Sequence, residues 1–203
     1  MITSDRFDLV FDCQKVFKQL MDALAMPGKI RSIAREGQNL EHPQGVMAAA
    51  ALTLVDNSCT FAVMQDSALE EELRQMTYGR PAALEEADYI FLPDSQDMEN
   101  DQVEEMLEKA KKGTLPEPHK SATLFVGIPS LRGGEESMLT GPGVKGSISI
   151  HLPQTGSRWL KIRQEMEIEF PCGVEICFLT PEGELMAVPR KVKWEEKSWD
   201  MLQ

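Results

Sequence analysis

The sequence predicts an α/β protein with three layers built around a mixed sheet, on three observations. Helical and strand-like apolar patterns alternate through residues 12–113, and strand-like segments cluster in the remainder. The chain has 203 residues, of which 42% are hydrophobic, enough to bury one substantial core. Residues 1–190 are therefore expected to form a single α/β domain, with 191–203 a peripheral C-terminal tail that carries two tryptophans among charges.

The elements follow in order. Asp12 is a candidate N-cap for a helix whose apolar positions Val16, Phe17, Leu20, Met21 and Leu24 recur at helical spacing until Pro27-Gly28 stops it. Residues 30–34 suit a short strand. Residues 46–55 are rich in alanine and leucine and favour a buried helix. Thr60 begins a strand, and Ser67 with Glu70 forms the pattern of a capping box ahead of a helix through Leu69, Leu73 and Met76. A compact apolar strand over 88–92 ends at Pro93. The next helix runs through Val103, Met106 and Leu107, with Lys111-Lys112 at its end and Gly113 beyond.

After a polar connector, residues 122–128 have the continuous apolar character of a central strand, Arg132-Gly133-Gly134 is a turn, and 137–140 is a further strand. The glycine-rich GPGVKG separates it from 147–152, where Ile148, Ile150 and Leu152 alternate as in a half-buried strand. Ser157 is a candidate cap for a helix through Met166. Residues 174–179 and 185–188 read as a β-hairpin about Pro181-Glu182-Gly183-Glu184.

Charge narrows the function classes. Acidic residues outnumber basic ones 33 to 21, a net charge of −12, which argues against a broad nucleic-acid or anionic-membrane footprint. Residues 1–118 hold 22 acidic and 11 basic side chains, whereas 119–203 hold 11 and 10; this is either an ordinary solvated surface or a sign that an anionic ligand or acidic partner meets the C-terminal part. No run approaches the ~20 apolar residues of a membrane helix, and the opening MITSDRFDLVFD lacks the regions of a signal peptide; the expected location is the cytoplasm. Cys13, Cys59, Cys172 and Cys177 form no CxxC pair and read as structural thiols. His42, His119 and His151 are far apart, so no metal site is expected.

Several short motifs stand out together: FKQLMDALAMPG (17–28), LTLVD (52–56), ATL (122–124), LTGPGV (139–144), FPCGV (170–174) and AVPR (187–190). In order and spacing they resemble the PhnH-type subunit of bacterial carbon-phosphorus lyase. The chain departs from that pattern at Cys172 (leucine in the family), Glu175 (aspartate), and Lys191 and Val192 (threonines). The resemblance implies a fold similar to the large domain of pyridoxal-phosphate-dependent transferases without a working cofactor site, hence no cofactor. It also implies a homodimer that assembles with the G, I and J subunits and works with the L protein. The implied role is in moving the ribose triphosphate of ATP onto a phosphonate with release of adenine, before later subunits cleave the carbon-phosphorus bond.

Four residues are candidates for ligand or partner contact: Gly141, Gly143, Lys145 and Arg190. The loop glycines let the backbone approach a ligand and can form an anion nest, and Lys145 adds a charge; a tight strand connection needs the same glycines. The loop lacks the GxxxxGK[ST] order of a phosphate-binding Walker motif. Arg190 offers a planar fork to a carboxylate or phosphate, with an inter-subunit ion pair as the competing reading. Lys145 could be a Schiff-base lysine in an independent transferase that binds a phosphorylated nucleotide or pyridoxal phosphate, but an exposed loop is a poor place to desolvate an ammonium. A third reading is a homodimeric scaffold with no small-molecule site. No nucleophile-base order or paired-carboxylate motif is recognisable, so the chain is expected to act as a subunit and not as a free-standing enzyme.

Overall fold

A computed structural model describes residues 6–196. Among these residues six α-helices and ten strands follow one another as α1 (Phe11–Ala25), β1 (Arg31–Ser32), α2 (Ala34–Asn39), α3 (Gly45–Leu54), β2 (Thr60–Val63), α4 (Ser67–Thr77), β3 (Arg80–Pro81), β4 (Tyr89–Leu92), α5 (Asn100–Lys109), β5 (Thr123–Gly127), β6 (Glu136–Thr140), β7 (Ser147–His151), α6 (Gln154–Glu165), β8 (Glu175–Leu179), β9 (Glu184–Val188) and β10 (Lys193–Glu196), with one 3-10 turn at Pro118–Lys120. The α/β class is as expected, with seven strands in a mixed sheet of order β1-β9-β8-β5-β4-β2-β3. The strands from β3 to β8 pair in parallel, and β9 and β1 add antiparallel at one edge.

The sheet is buried on both faces, and strand alternation decides which residue meets which layer. Val63, Phe91, Phe125, Cys177 and Ala187 lie side by side across five strands and all join the apolar cluster under α1, α3 and α4. Phe91 and Phe125 stack there with ring centroids 5.2 Å apart. Their chain neighbours Ile90, Leu92, Leu124, Val126, Ile176 and Phe178 point the other way, into the cluster that also holds Val103 and Leu107 of α5 and Trp159 and Leu160 of α6. A second, antiparallel sheet of order β10-β6-β7 contributes Leu139, Ile150 and Trp194 to that same cluster.

Three local expectations need correction. Asp12 does not cap α1: it sits inside the first turn, 5% exposed, while the carboxylate of Asp8 accepts from the Val10 and Phe11 amides. Asp66, not Ser67, caps α4 by accepting from the Leu69 amide, and Glu70 accepts from Val63 of β2 instead of closing a box. Ser157 lies within α6, which already begins at Gln154 after Pro153.

The tail is also corrected over the residues described. Lys193–Glu196 is a strand paired with β6, and Val192 and Trp194 are 2% and 6% exposed. The Val-x-Trp alternation buries one face while the intervening lysines and glutamates face outward, which is why the segment looks peripheral by composition. The remaining residues, 197–203, lie outside the described residues. Among the described residues no helix is long and apolar enough to cross a membrane.

Candidate functional site

The turn that ends α1 and the loop joining β6 to β7 interlock. Gly28, at φ +77°, donates its amide to Ala187 O in β9 at 3.3 Å, and a Cβ there would stand 3.0 Å from side-chain carbons of both Leu139 and Ile150. In the loop, Gly141 and Gly143 have φ of +123° and +81°, a region that side-chain-bearing residues rarely adopt. A Cβ on Gly143 would meet Ala25 O at 2.9 Å and Pro27 Cδ at 2.8 Å; one on Gly141 would meet Lys191 O at 2.9 Å. Both glycines are therefore needed for backbone to pass close to backbone.

These turns surround a depression of about 310 Å³ lined by Leu24 and Ala25 of α1, Pro142 and Gly143 of the loop, Glu175, and Pro189, Arg190 and Lys191. The structure thus brings Gly143 and Arg190 to one place, with Gly141 packed behind Lys191. Lys145 does not line the depression. It is exposed at the loop tip, and a Cβ on neighbouring Gly146 would have nothing within 4 Å.

Arg190 is held from several directions. Its amide donates to Glu175 Oε2 at 2.6 Å, Nη1 donates to Glu175 Oε1 and to Ser121 Oγ, and Nε donates to Pro171 O at 3.1 Å. Both members of the ion pair are mostly buried, at 15% and 18% side-chain exposure. The guanidinium therefore has an intrachain carboxylate partner in Glu175. Pro171 follows a cis peptide bond, and Phe170 before it is exposed with Lys191 Nζ 5.3 Å above its ring.

Behind this pair lies Arg163 of α6, missed in the sequence reading. It is 8% exposed and donates to the carbonyls of Val174, Val188 and Val192, tying β8, β9 and the approach to β10 together. Burial pulls its guanidinium down to about 10, while Glu175 acts in the opposite direction, so the group stays charged at neutral pH. A basic residue read on an otherwise amphipathic helix gave no sign of this burial.

A second feature missed is a crevice of about 350 Å³ at the carboxyl ends of β4, β5 and β8, where His42, Gln44, Asp94, Gln96 and Thr180 meet. The signal was present: each of these strands is followed by a proline, Pro93, Pro129 or Pro181. Burial raises the thiols of Cys13 and Cys177, in keeping with structural thiols, and the four cysteines are free. Among the described residues no three His, Cys, Asp or Glu side chains are grouped to hold a metal.

A mixed seven-stranded α/β sheet, with a small antiparallel sheet whose glycine loop locks onto the end of the first helix, defines the structural class. Within it, the chain belongs to the PhnH family of bacterial phosphonate metabolism proteins, whose family model matches residues 6–195. Relatives agree. PhnH of Rhizobium meliloti (strain 1021), named as a subunit of alpha-D-ribose 1-methylphosphonate 5-triphosphate synthase, is 27% identical over 194 residues, covering 94% of each chain. HtxG of Stutzerimonas stutzeri, whose name describes it as a C-P lyase subunit, is 26% identical over 178 residues, covering 87% of this chain and 83% of its own.

Proposed function

We propose that this chain is a non-autonomous subunit of a carbon-phosphorus lyase assembly in which the ribose triphosphate of ATP is transferred to a phosphonate with release of adenine. The observation that carries the reading is the family match over residues 6–195, joined to two subunit-named relatives covered over most of their length. In this reading the chain is cytoplasmic, forms a homodimer, and docks the G, I and J subunits, with the L protein acting alongside. In the same reading the chain forms one domain that follows the plan of the large domain of pyridoxal-phosphate-dependent transferases, with the strand over 193–196 part of its body.

The loop residues Gly141, Gly143 and Lys145 and the neighbouring Arg190 are the proposed contact region. Rigid glycine turns fix its shape, the Arg190–Glu175 pair braces it from below, and exposed Lys145 and Lys191 supply cations toward a phosphate-bearing ligand or an acidic partner segment. Co-expression with the G, I and J subunits followed by size exclusion tests the reading. The chain is expected to co-elute with them and to catalyse no ribosyl transfer by itself; turnover by the isolated chain, or failure to co-elute where the other three associate, would overturn it.

A further inference from the structure

Among the described residues the two sheets end in four edge strands, and three of them are blunted. β1 and β3 are two residues long, and β3 includes Pro81, which has no amide to offer. On β10 the Trp194 amide is taken by Gln164 Oε1 of α6 at 3.3 Å. The exception is β7. It runs over Ser147–His151 without a proline, and among the described residues β6 is its one ladder partner. Alternate residues of an antiparallel strand turn amide and carbonyl away from the neighbouring strand, so β7 presents main-chain donors and acceptors along its outer side. Its faces are fixed by hydrophobic alternation: Ile148 and Ile150 pack on the core, while Ser147, Ser149 and His151 are exposed.

Beside this edge lies a depression of about 430 Å³, to which Ile30, Ile150 and Met186 give apolar surface and Arg132, Ser149 and His151 give polar surface. None of its lining residues is acidic, in a chain that holds 33 acidic residues. The Arg132 side chain is 68% exposed; Nη2 donates to Glu184 Oε1 at 2.6 Å, and its other guanidinium nitrogens make no hydrogen bond among the described residues. Glu136, opposite His151 in the ladder, accepts from Ser149 Oγ at 2.6 Å. Lys145 is exposed just before the strand. We propose that β7 takes up an extended, acidic segment of a different protein as an added strand. The main chain of that segment pairs with β7, its alternate apolar side chains enter the depression, and its carboxylates meet Arg132 and His151. A second copy of the chain does not match this edge, because Ser-Ile-Ser-Ile-His laid along itself brings no carboxylate to Arg132. Recognition is by main-chain pairing and charge, so the inference holds whether or not the segment belongs to a subunit of the assembly proposed above.

Nuclear magnetic resonance of the isotope-labelled full chain tests this with an end-blocked peptide, Val-Glu-Val-Glu-Val-Glu-Val. Saturable shifts over residues 147–151 and at the Arg132 side chain are expected by ~1 mM peptide, the weak end of specific recognition. The same peptide with lysine in place of glutamate is expected not to bind. Nor is the acidic peptide with N-methylated amides, which keeps the charge and the valines but cannot lie against a strand edge. Arg132→Glu, at an exposed position, is expected to weaken the acidic peptide by about fivefold. No saturable shift at 147–151, equal binding of the lysine peptide, or binding unchanged by N-methylation would overturn the inference. Resonances of β7 that move with chain concentration in the absence of peptide would put a second copy on the edge and overturn it as well. Since the chain is used alone, failure to co-elute with the G, I and J subunits leaves a peptide result standing, and an absence of peptide binding sinks this inference and not the subunit reading.

Discussion

Asp12 has the character of a buried, bonded carboxylate. Its oxygens accept from Lys15 Nζ, from the Asp8 amide and from Asn39 Nδ2, and the Lys15 hydrogen bond, ahead of the opposing effect of burial, holds its carboxyl below the ordinary aspartate value of 3.8. A folded-state value below the unfolded one means that the unfolded chain binds more protons in the window between them. The stabilisation is therefore present above about pH 4 and is lost as the pH falls through the folded value. Asp12→Asn is expected to lower the urea midpoint at pH 7, with the difference from wild type shrinking as the pH is taken below 3.8; a difference that is constant with pH would refute the assignment. The sequence made Asp12 legible as a helix-start residue but not as this one. Asp8 and Asp12 are four residues apart and both precede the apolar run, and only contact with Asn39 of α2 distinguishes the buried one. Arg190 teaches the same lesson: its type was readable, but its partner Glu175 lies across the β8–β9 hairpin and depends on a register fixed by Ile176 facing Val188.

Elements with strong local signals were legible, and those stabilised by distant neighbours were not. The buried helix at 46–55 emerges one residue displaced as α3, because an alanine run leaves little choice, and the hairpin of β8 and β9 follows from turn residues between two apolar strands. By contrast α2 and the two-residue β3 carry no apolar period of their own. The β6–β7 loop lies between these extremes. Its glycines announced a turn, yet which of them is sterically indispensable depends on α1. Gly143 and Gly146 have similar φ, +81° and +76°, but only Gly143 has Ala25 O and Pro27 in the way of a Cβ. Gly146→Ala should cost only the conformational strain, about 1 kcal/mol, whereas Gly143→Ala should cost about 3 kcal/mol by adding the collision with α1. Urea midpoints of the two variants check this. Equal losses would mean that the loop and the helix end are not locked together.

At the scale of the whole molecule, the layered plan could be read from the order of elements, but the small sheet could not. Its three strands come from residues 136–140, 147–151 and 193–196, and the last is separated from its partner β6 by α6 and the β8–β9 hairpin. No local pattern announces such a pairing, so the segment holding Trp194 looks like a charged tail. Trp194 is nevertheless buried in the same cluster as Trp159 and Leu139, and Arg163 binds the Val192 carbonyl that leads into it. If the segment were peripheral, Trp194→Ala would shift stability by less than about 0.5 kcal/mol, as surface substitutions do. Removing a tryptophan from a packed core costs about 3–5 kcal/mol, part of it the cavity left behind. The structure therefore predicts the larger loss, read as a fall in the urea midpoint. It also predicts that β6 and the GPGVKG loop loosen with it, because Trp194 faces Leu139 across the β10–β6 ladder and Gly141 packs against Lys191 just before the strand. Hydrogen exchange of the β6 amides separates the two outcomes: faster exchange in the variant ties the chain end to the candidate site, and unchanged exchange would show that the strand is only an appendage.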